Sequence, residues 1–523
     1  MSRAFLKHID QQITKPKLSN HERAVFVLHD QLNLDVWPSW IREEKPLLIF
    51  MESAEKGNEL PHHKKKAIYL LSSMRHFALE CAEAGYPVHY HSTKKHFDDG
   101  LNEILSENEE LNLTYMAPSE WDSRNRLRNV RSEFLDRVEE IPNNFFLADV
   151  EEYKERVKDG WLMEYFYREM RRKTGYLMNG DEPEGGGWNY DEENREKLPK
   201  DHPVPEIAKT ESDDITEEVK EMVDSWYGDS FGESENFTYA VTRRQALYRL
   251  NEFIEERLDE FGPYEDAMAH GKYELFHSQL SVYLNNGLLL PTEVCNKAEE
   301  AYHNDNARLN SVEGFIRQII GWREYVRVYY EAMMPEVREA NHFNFTERLP
   351  EMYWSGETKM NCMSECLKPV IKEGYSHHIP RLMVLSNFSN LTETDPKELN
   401  RWFHLSYVDA YEWVVLPNVL GMSTFADGGV LASKPYVSSG NYIKKMSDYC
   451  KHCGYKISKK SGEEACPFNY LYWNFIDKQR ETFTNNGRAN FMVNMFDKKS
   501  EEDKKAIWES SEGFLRKLKR DSE

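Results

Sequence analysis

The chain has 523 residues, more than one hydrophobic core usually supports, so at least two domains are expected, with room for a buried cofactor. Hydrophobic residues at 40% and aromatics at 13% exclude a disordered chain, and Met1 to Ser19 has no apolar signal core. No run of about 18 apolar residues occurs, which predicts a soluble, cytoplasmic protein with no membrane contact, and a net charge of −23 opposes nonspecific binding to a polyanion.

In chain order, AVFVLHDQL, PLLIFMES and YPVHYHS read as strands, with the helical pattern HKKKAIYLLSSMRHFALECAEAG between the last two. That alternation predicts a parallel α/β sheet. LNLTYMAP and FFLADV read as further strands, so the first domain is placed at residues 1–150. Residues 151–235 read as a connector with a long solvated loop, KDHPVPEIAKTESDDITEEV. Within it Arg168, Arg171, Arg172 and Lys173 form either a phosphate contact or a salt-bridged helix face. From Thr242 onward helical periodicity dominates, which predicts an all-α domain over 236–523. A nucleic-acid ligand would need local basic surface. Gly429–Ser447 carries Lys434, Lys444 and Lys445 without an acid, and Ser376–Asn390 carries Arg381 without one.

Seven cysteines without a signal core disfavour a disulfide framework. Cys450 and Cys453 form a C-x2-C pair, Cys466 follows, and a fourth thiolate must come from Cys362 or Cys366. The spacing fits a zinc knuckle and an iron–sulfur centre alike. No histidine stands at ligand spacing after Cys466, and the Cys466–Pro467 pair leans toward iron–sulfur. Cys81 and Cys295 lie in helical patterns and read as small buried hydrophobes.

HSQLSVYLNNG (277–287) places Ser278 and Ser281 near a helix start, where hydroxyls and free N–H groups can meet a phosphate or simply cap the helix. EGFIRQIIGWREYVR puts Gln318, Trp322 and Arg323 within about a turn, as an amide, an aromatic face and a fixed cation or as a structural stack. Asp409 can accept from a sugar hydroxyl or cap a helix ahead of a break at Pro417–Asn418. His377 and His378 adjoin at a helix start, where an imidazole can serve as a proton donor.

In this order the motifs HDQL (29–32), HHKKK (62–66), MEYFYREMRRKTGYLMNG (163–180), FTYAVTR (237–243), HSQLS (277–281), EGFIRQIIGWREY (313–325), KMNCM (359–363), HHIPRLMVLSNF (377–388), DAYEWV (409–414), GMSTFADGG (421–429), KPYVSSGNYIKKMSDYC (434–450) and ACPFN (465–469) are collinear over nearly the whole chain. The chain thereby resembles the photolyase/cryptochrome superfamily, in its iron–sulfur bacterial cryptochrome and prokaryotic (6-4) photolyase branch. The resemblance implies an α/β antenna domain with a parallel Rossmann-like sheet, an interdomain loop, and an all-α domain holding FAD. It implies Thr242, Ser278, Leu280, Ser281, Gln318, Trp322, Arg323 and Asp409 at the flavin, and a 4Fe-4S cluster on Cys362, Cys450, Cys453 and Cys466. For the antenna, 6,7-dimethyl-8-ribityllumazine is implied at Asp30 and Glu55. Lesion handling maps to His377, His378 and Tyr436, with His378 as the acid, and flavin photoreduction to Trp402, Trp354 and Tyr442.

Two positions depart from the pattern: Phe403 stands where relatives often have Tyr, and Val415 where close relatives are expected to have Glu. The implied activity is blue-light repair of (6-4) photoproducts in UV-damaged DNA by a monomer. The competing reading is a photoreceptor that signals through a protein partner.

Overall fold

The computed structural model describes Phe5, residues 18–487 and residues 489–521. Five parallel strands, β1 (Arg23–Phe26), β2 (Leu47–Ser53), β3 (Val88–Thr93), β4 (Asn112–Met116) and β5 (Val138–Ile141), lie in the order β3-β2-β1-β4-β5. Leu47 to Met51 are buried throughout, as expected where helices cover both sheet faces. The helix Lys64–Glu83 makes the crossover from β2 to β3. The chain then returns to the far side of β1 to form β4, so the strand order reverses between β1 and β4. A sheet of this kind opens a crevice at the carboxyl ends of the strands at that reversal.

The fifth strand differs from the sequence reading. It is Val138–Ile141, and FFLADV is not a strand. That run is apolar because it docks on the helical half: Phe145 is buried, and the N–H groups of Leu147 and Ala148 donate to Glu324 Oε2 at 2.7 and 2.9 Å.

The connector also differs, since it contains the helices Val150–Lys158, Met163–Thr174 and Asp214–Trp226. Each carries a buried stripe at helical spacing, such as Tyr153 and Val157, Phe166 and Met170, or Val219 and Val223. Residues 194–213 form an extended stretch with neither helix nor strand, as does the shorter run 227–242 that leads into the next helix. The basic run resolves as a helix face: Arg168 pairs with Glu164, Lys173 with Glu152, and Arg171 is fully buried and donates to the carbonyls of Tyr176 and Leu177.

The rest is helical, and one buried core runs from the sheet into it. Polar ties cross the same boundary. Arg124 donates to both carboxylate oxygens of Glu331 at 2.8 Å, and Arg327 Nη1 donates to the Ser119 carbonyl at 2.6 Å.

Glu324 is the most demanding of these ties, because it is fully buried, accepts two backbone N–H groups and pairs with Arg323 at 2.7 Å. Replacing it by Leu strands a buried guanidinium and two N–H groups, so Glu324→Leu is expected to cost about 3–5 kcal/mol, read as a lower urea midpoint.

Candidate functional site

A cavity of about 300 Å³ lies inside the helical half, walled by three π-helical segments, Arg317–Arg323, Pro380–Ser386 and Pro417–Ser423. A π-turn widens the helix by one residue and is a frequent device at functional sites. The expected break at Pro417–Asn418 is therefore absent, since Pro417 occupies the first position of a π-helical turn, where it needs no N–H donor. Asn418 serves both sides: its Nδ2 donates to the Val414 carbonyl at 2.7 Å, and its Oδ1 accepts from Trp322 Nε1 at 2.9 Å.

Of the residues predicted for the flavin, Ser278, Ser281, Gln318, Trp322, Arg323 and Asp409 line this cavity. Thr242 and Leu280 do not. Thr242 caps the helix Arg243–Glu256 in a reciprocal box with Gln245, and Leu280 is buried just ahead of the helix Ser281–Asn286. Both departures noted in the sequence, Phe403 and Val415, are in the wall.

Asp409 is bound from two elements. Ser281 Oγ donates to its Oδ2 at 2.8 Å, and Arg381 donates to both oxygens at 3.2 and 3.0 Å. Arg381 also donates from Nε to the Ser376 carbonyl at 2.7 Å and lies 4.1 Å over the Tyr407 ring. The cation of the acid-free strip 376–390 is thus spent inside the protein. Sequence reasoning missed Arg381 as a site residue, and the neutralising partner in DAYEWV was the available signal. Arg323 is buried against Phe146 and Trp413, and its Nε has no hydrogen-bond partner. The orphaned Nε, the hydroxyls and amides and the apolar walls suit a ligand with a polar chain and a flat ring.

At the rim His377 and His378 meet His277, a residue the sequence analysis quoted in HSQLS without assigning it a role. The rings of His277 and His377 stack with centroids 4.0 Å apart, and that of His378 stands 5.5 Å away, edge-on. Burial, together with the neighbouring imidazoles, holds His277 and His377 well below the usual imidazole range. His378 is half exposed, with Nε2 3.5 Å from Asp266 Oδ1. Asp266 also accepts from Tyr442 OH at 3.4 Å, which places Tyr442 behind the histidines and outside the cavity wall. The adjacent Glu265 is buried with Oε2 unpartnered, and burial pushes its carboxyl up to about 7.

Tyr436 lies outside the wall with Lys434 over its ring. Trp402 is fully buried, 5.0 Å from the wall residue Phe403 and 5.1 Å from Tyr353. Trp354 follows Tyr353 in the chain and packs on Phe231. Tyr353, which the sequence analysis did not single out, packs edge-on against Trp402.

Cys362, Cys450, Cys453 and Cys466 line one small pocket, whereas Cys366 is buried outside it. The pocket is held close by Gly440, where an added Cβ would fall 2.9 Å from Cys466 Sγ. Burial and the mutual approach of the sulfurs raise Cys362, Cys450 and Cys466, with Cys466 pushed up to about 12. Four cysteines converging on one pocket fit a tetrathiolate metal site, where a bound cation would favour the thiolate form.

A larger cavity, about 700 Å³, opens at the strand-order reversal between the sheet and the helices. His29, Glu52, Lys56, His62, Lys66, Glu120, His404 and Tyr411 supply its polar wall. Asp30 is buried and accepts from Ser119 Oγ beside it. Glu55 is exposed and does not line the cavity, because Ser53 caps the helix Ala54–Asn58 and turns that position outward. The acids near β2 that reach the cavity are Glu52 and Glu59. Burial lowers Lys66 to about 8.

The chain matches known proteins along its length. The profile of a family described as deoxyribodipyrimidine photo-lyase-related protein covers residues 25–239. A (6-4) photolyase of Agrobacterium fabrum is 42% identical over 508 residues, covering 95% of this chain and 99% of that protein. Two crystal structures share the fold, each covering 95% of this chain and 98% of theirs. They are a class III photolyase from Agrobacterium tumefaciens, 15% identical with a TM-score of 0.57, and the Synechocystis cryptochrome, 13% identical with a TM-score of 0.60. Sheet, helical half and central cavity thus define a member of the photolyase/cryptochrome class, whose proteins bind FAD. More narrowly, the chain belongs to the (6-4) photolyase family.

Glu265 gives the site a pH signature. A carboxyl raised in the folded state adds stability that is complete below its unfolded value, near 4.3, and is lost as pH rises through about 7. The wild type is expected to lose about 3 kcal/mol between pH 4.5 and 8 from this group. Denaturation midpoints across that range should fall less steeply in Glu265→Gln.

Proposed function

We propose that the protein repairs (6-4) pyrimidine–pyrimidone photoproducts in UV-damaged DNA under blue light. The observation that carries this reading is the histidine cluster at the rim of a cavity lined by Asp409, Ser281, Gln318, Trp322 and Arg323, in a chain 42% identical to a (6-4) photolyase. These cavity residues would hold FAD, which when bound would supply a light-excited electron.

The residues supply the rest. A (6-4) lesion needs a proton as well as an electron, and a cyclobutane dimer does not. His378 combines exposure at the rim with a carboxylate 3.5 Å away to orient its ring, so it is the residue placed to give the proton. His277 and His377, packed behind it, fix its position. Trp322, tied to Asn418, and the wall residues Phe403, Val414 and Val415 give the cavity apolar surface that excludes water. The damaged bases must leave the stack to reach the rim, and damage lowers that cost, which is a few kcal/mol. Lys434, Lys444 and Lys445 offer cations to the phosphates in a protein otherwise repulsive to DNA.

Cys362, Cys450, Cys453 and Cys466 would hold a 4Fe-4S cluster, for which an all-cysteine set without histidine is suited. The 700 Å³ cavity would hold the antenna chromophore, 6,7-dimethyl-8-ribityllumazine, with His29, Lys66 and Glu120 offering partners to its hydroxyls and ring edge.

The test is repair of an oligonucleotide carrying one (6-4) photoproduct, with reductant, in blue light and in the dark. Light-dependent restoration is expected, reduced about 100-fold or more in a His378→Asn variant that keeps its flavin. No restoration by flavin- and cluster-loaded protein would overturn the reading and favour a photoreceptor. For the cluster, Cys453→Ala is expected to give poorly soluble protein without iron, because the centre ties three separate segments together. Soluble, iron-loaded Cys453→Ala protein would contradict the ligand set.

A further inference from the structure

The repair reading uses one imidazole of a group of three. His277, His377 and His378 each present a ring nitrogen, and these three atoms lie within 4.8 Å of one another. Two of the rings are almost entirely inside the protein, at 6% and 4% exposure. His277 Nε2 and His377 Nδ1 are buried there without any hydrogen-bond partner. Buried polar atoms are normally satisfied, so two orphaned ring nitrogens in stacked neighbours point to a ligand-binding role.

The donor set specifies the ligand. Imidazole nitrogen suits zinc and its late first-row neighbours, whereas magnesium and calcium take oxygen. Three imidazoles with an open fourth position are a recurrent zinc arrangement. The Asp266 carboxylate, 3.5 Å from His378 Nε2, adds the negative charge such an ion would meet. Bonds of about 2.0–2.1 Å in a tetrahedral centre put nitrogens about 3.4 Å apart. Closure therefore requires the His277 and His377 rings to turn out of their 4.0 Å stack and His378, 51% exposed and held only by the 3.5 Å contact with Asp266, to turn inward.

We propose that His277, His377 and His378 form a reversible binding site for Zn²⁺ or a similar divalent transition-metal ion. Occupancy takes up the ring nitrogen that His378 needs to deliver its proton, so the ion switches repair off; this consequence, unlike the binding itself, rests on the function proposed above.

The test titrates Zn²⁺ into full-length, flavin- and cluster-loaded protein by calorimetry, with the cluster in place so that the cysteines are not available. One site of micromolar affinity or tighter is expected. His378→Asn, at a half-exposed position that leaves the core intact, and His277→Gln should each weaken it at least 10-fold, with flavin absorbance confirming the fold. Replacing the stacked pair His89 and His91 on β3, remote in sequence, should leave it unchanged. Mg²⁺ in large excess should not displace the ion. Absence of Zn²⁺ uptake, or uptake equally strong in both variants, overturns the site. Repair measured alongside should fall with the binding midpoint and return with a chelator. Zn²⁺ binding lost in the variants but without effect on wild-type repair would leave the metal site standing and overturn the role of His378 as the acid.

Discussion

The partly buried pairing of Arg381 with Asp409, 26% and 12% exposed, is the constraint on which the central cavity depends. Asp409 sits where the chain enters the segment that becomes the third π-helix, Arg381 sits on the second, and Ser281 starts the helix that closes the opposite wall. A bidentate guanidinium–carboxylate contact with a further hydroxyl donor joins these three elements at one point. Its net contribution to stability need not be large, because removing two charges from water costs much of what their attraction returns. What it supplies is geometry: neither partner can turn away without leaving the other partly buried and unpaired. That contact fixes the second π-helix, just after His377 and His378, against the approach to the third.

A second kind of closure operates where the chain has no such pair. The four pocket cysteines come from the start of the helix Asn361–Glu373, from the turn Tyr449–His452 with the residue after it, and from the residue that caps Pro467–Lys478. These segments meet across a pocket that only a residue without a Cβ, Gly440, allows to be so tight. The sulfurs discourage one another from ionising, so the thiol form of this region is poorly suited to hold itself together. A cationic centre reverses that relation and turns repulsion into cross-linking. The sheet-side cavity lies at the reversal of strand order, where an open α/β sheet leaves a crevice whatever its side chains.

The overall charge is set against the proposed partner, and several of the cations that stood out in the sequence face inward. Arg171, Arg323 and Arg381, each in a motif that stood out in the sequence, are consumed by carbonyls, carboxylates and aromatic faces. Lys434, Lys444 and Lys445 are what the acid-free strip contributes outside. Binding that relies on few cations in an acidic protein is selective by default, since an undamaged duplex meets repulsion and only a lesion that can enter the rim recovers the cost.

Periodicity and spacing by themselves pointed to the α/β-then-helical arrangement and to three of the pocket cysteines, Cys450, Cys453 and Cys466, whereas Cys362 and the wall residues from Ser278 to Asp409 were expected from the family resemblance. The first group was legible because periodicity and local spacing are properties of single segments. What only the tertiary structure decided depends on contacts between distant segments. The run FFLADV has strand composition, yet Glu324, from far along the chain, turns it into a docking segment. Thr242 has the chemistry of a phosphate ligand, yet Gln245 satisfies it as a cap. Glu55 follows the second strand as expected, yet one turn of helix points it to water. His277 carries no signal beyond a helix start, and only the fold stacks it against His377. In each case the side chain offers the same hydrogen bonds or apolar surface to several partners, and the partner that wins is set by which segment the core brings near.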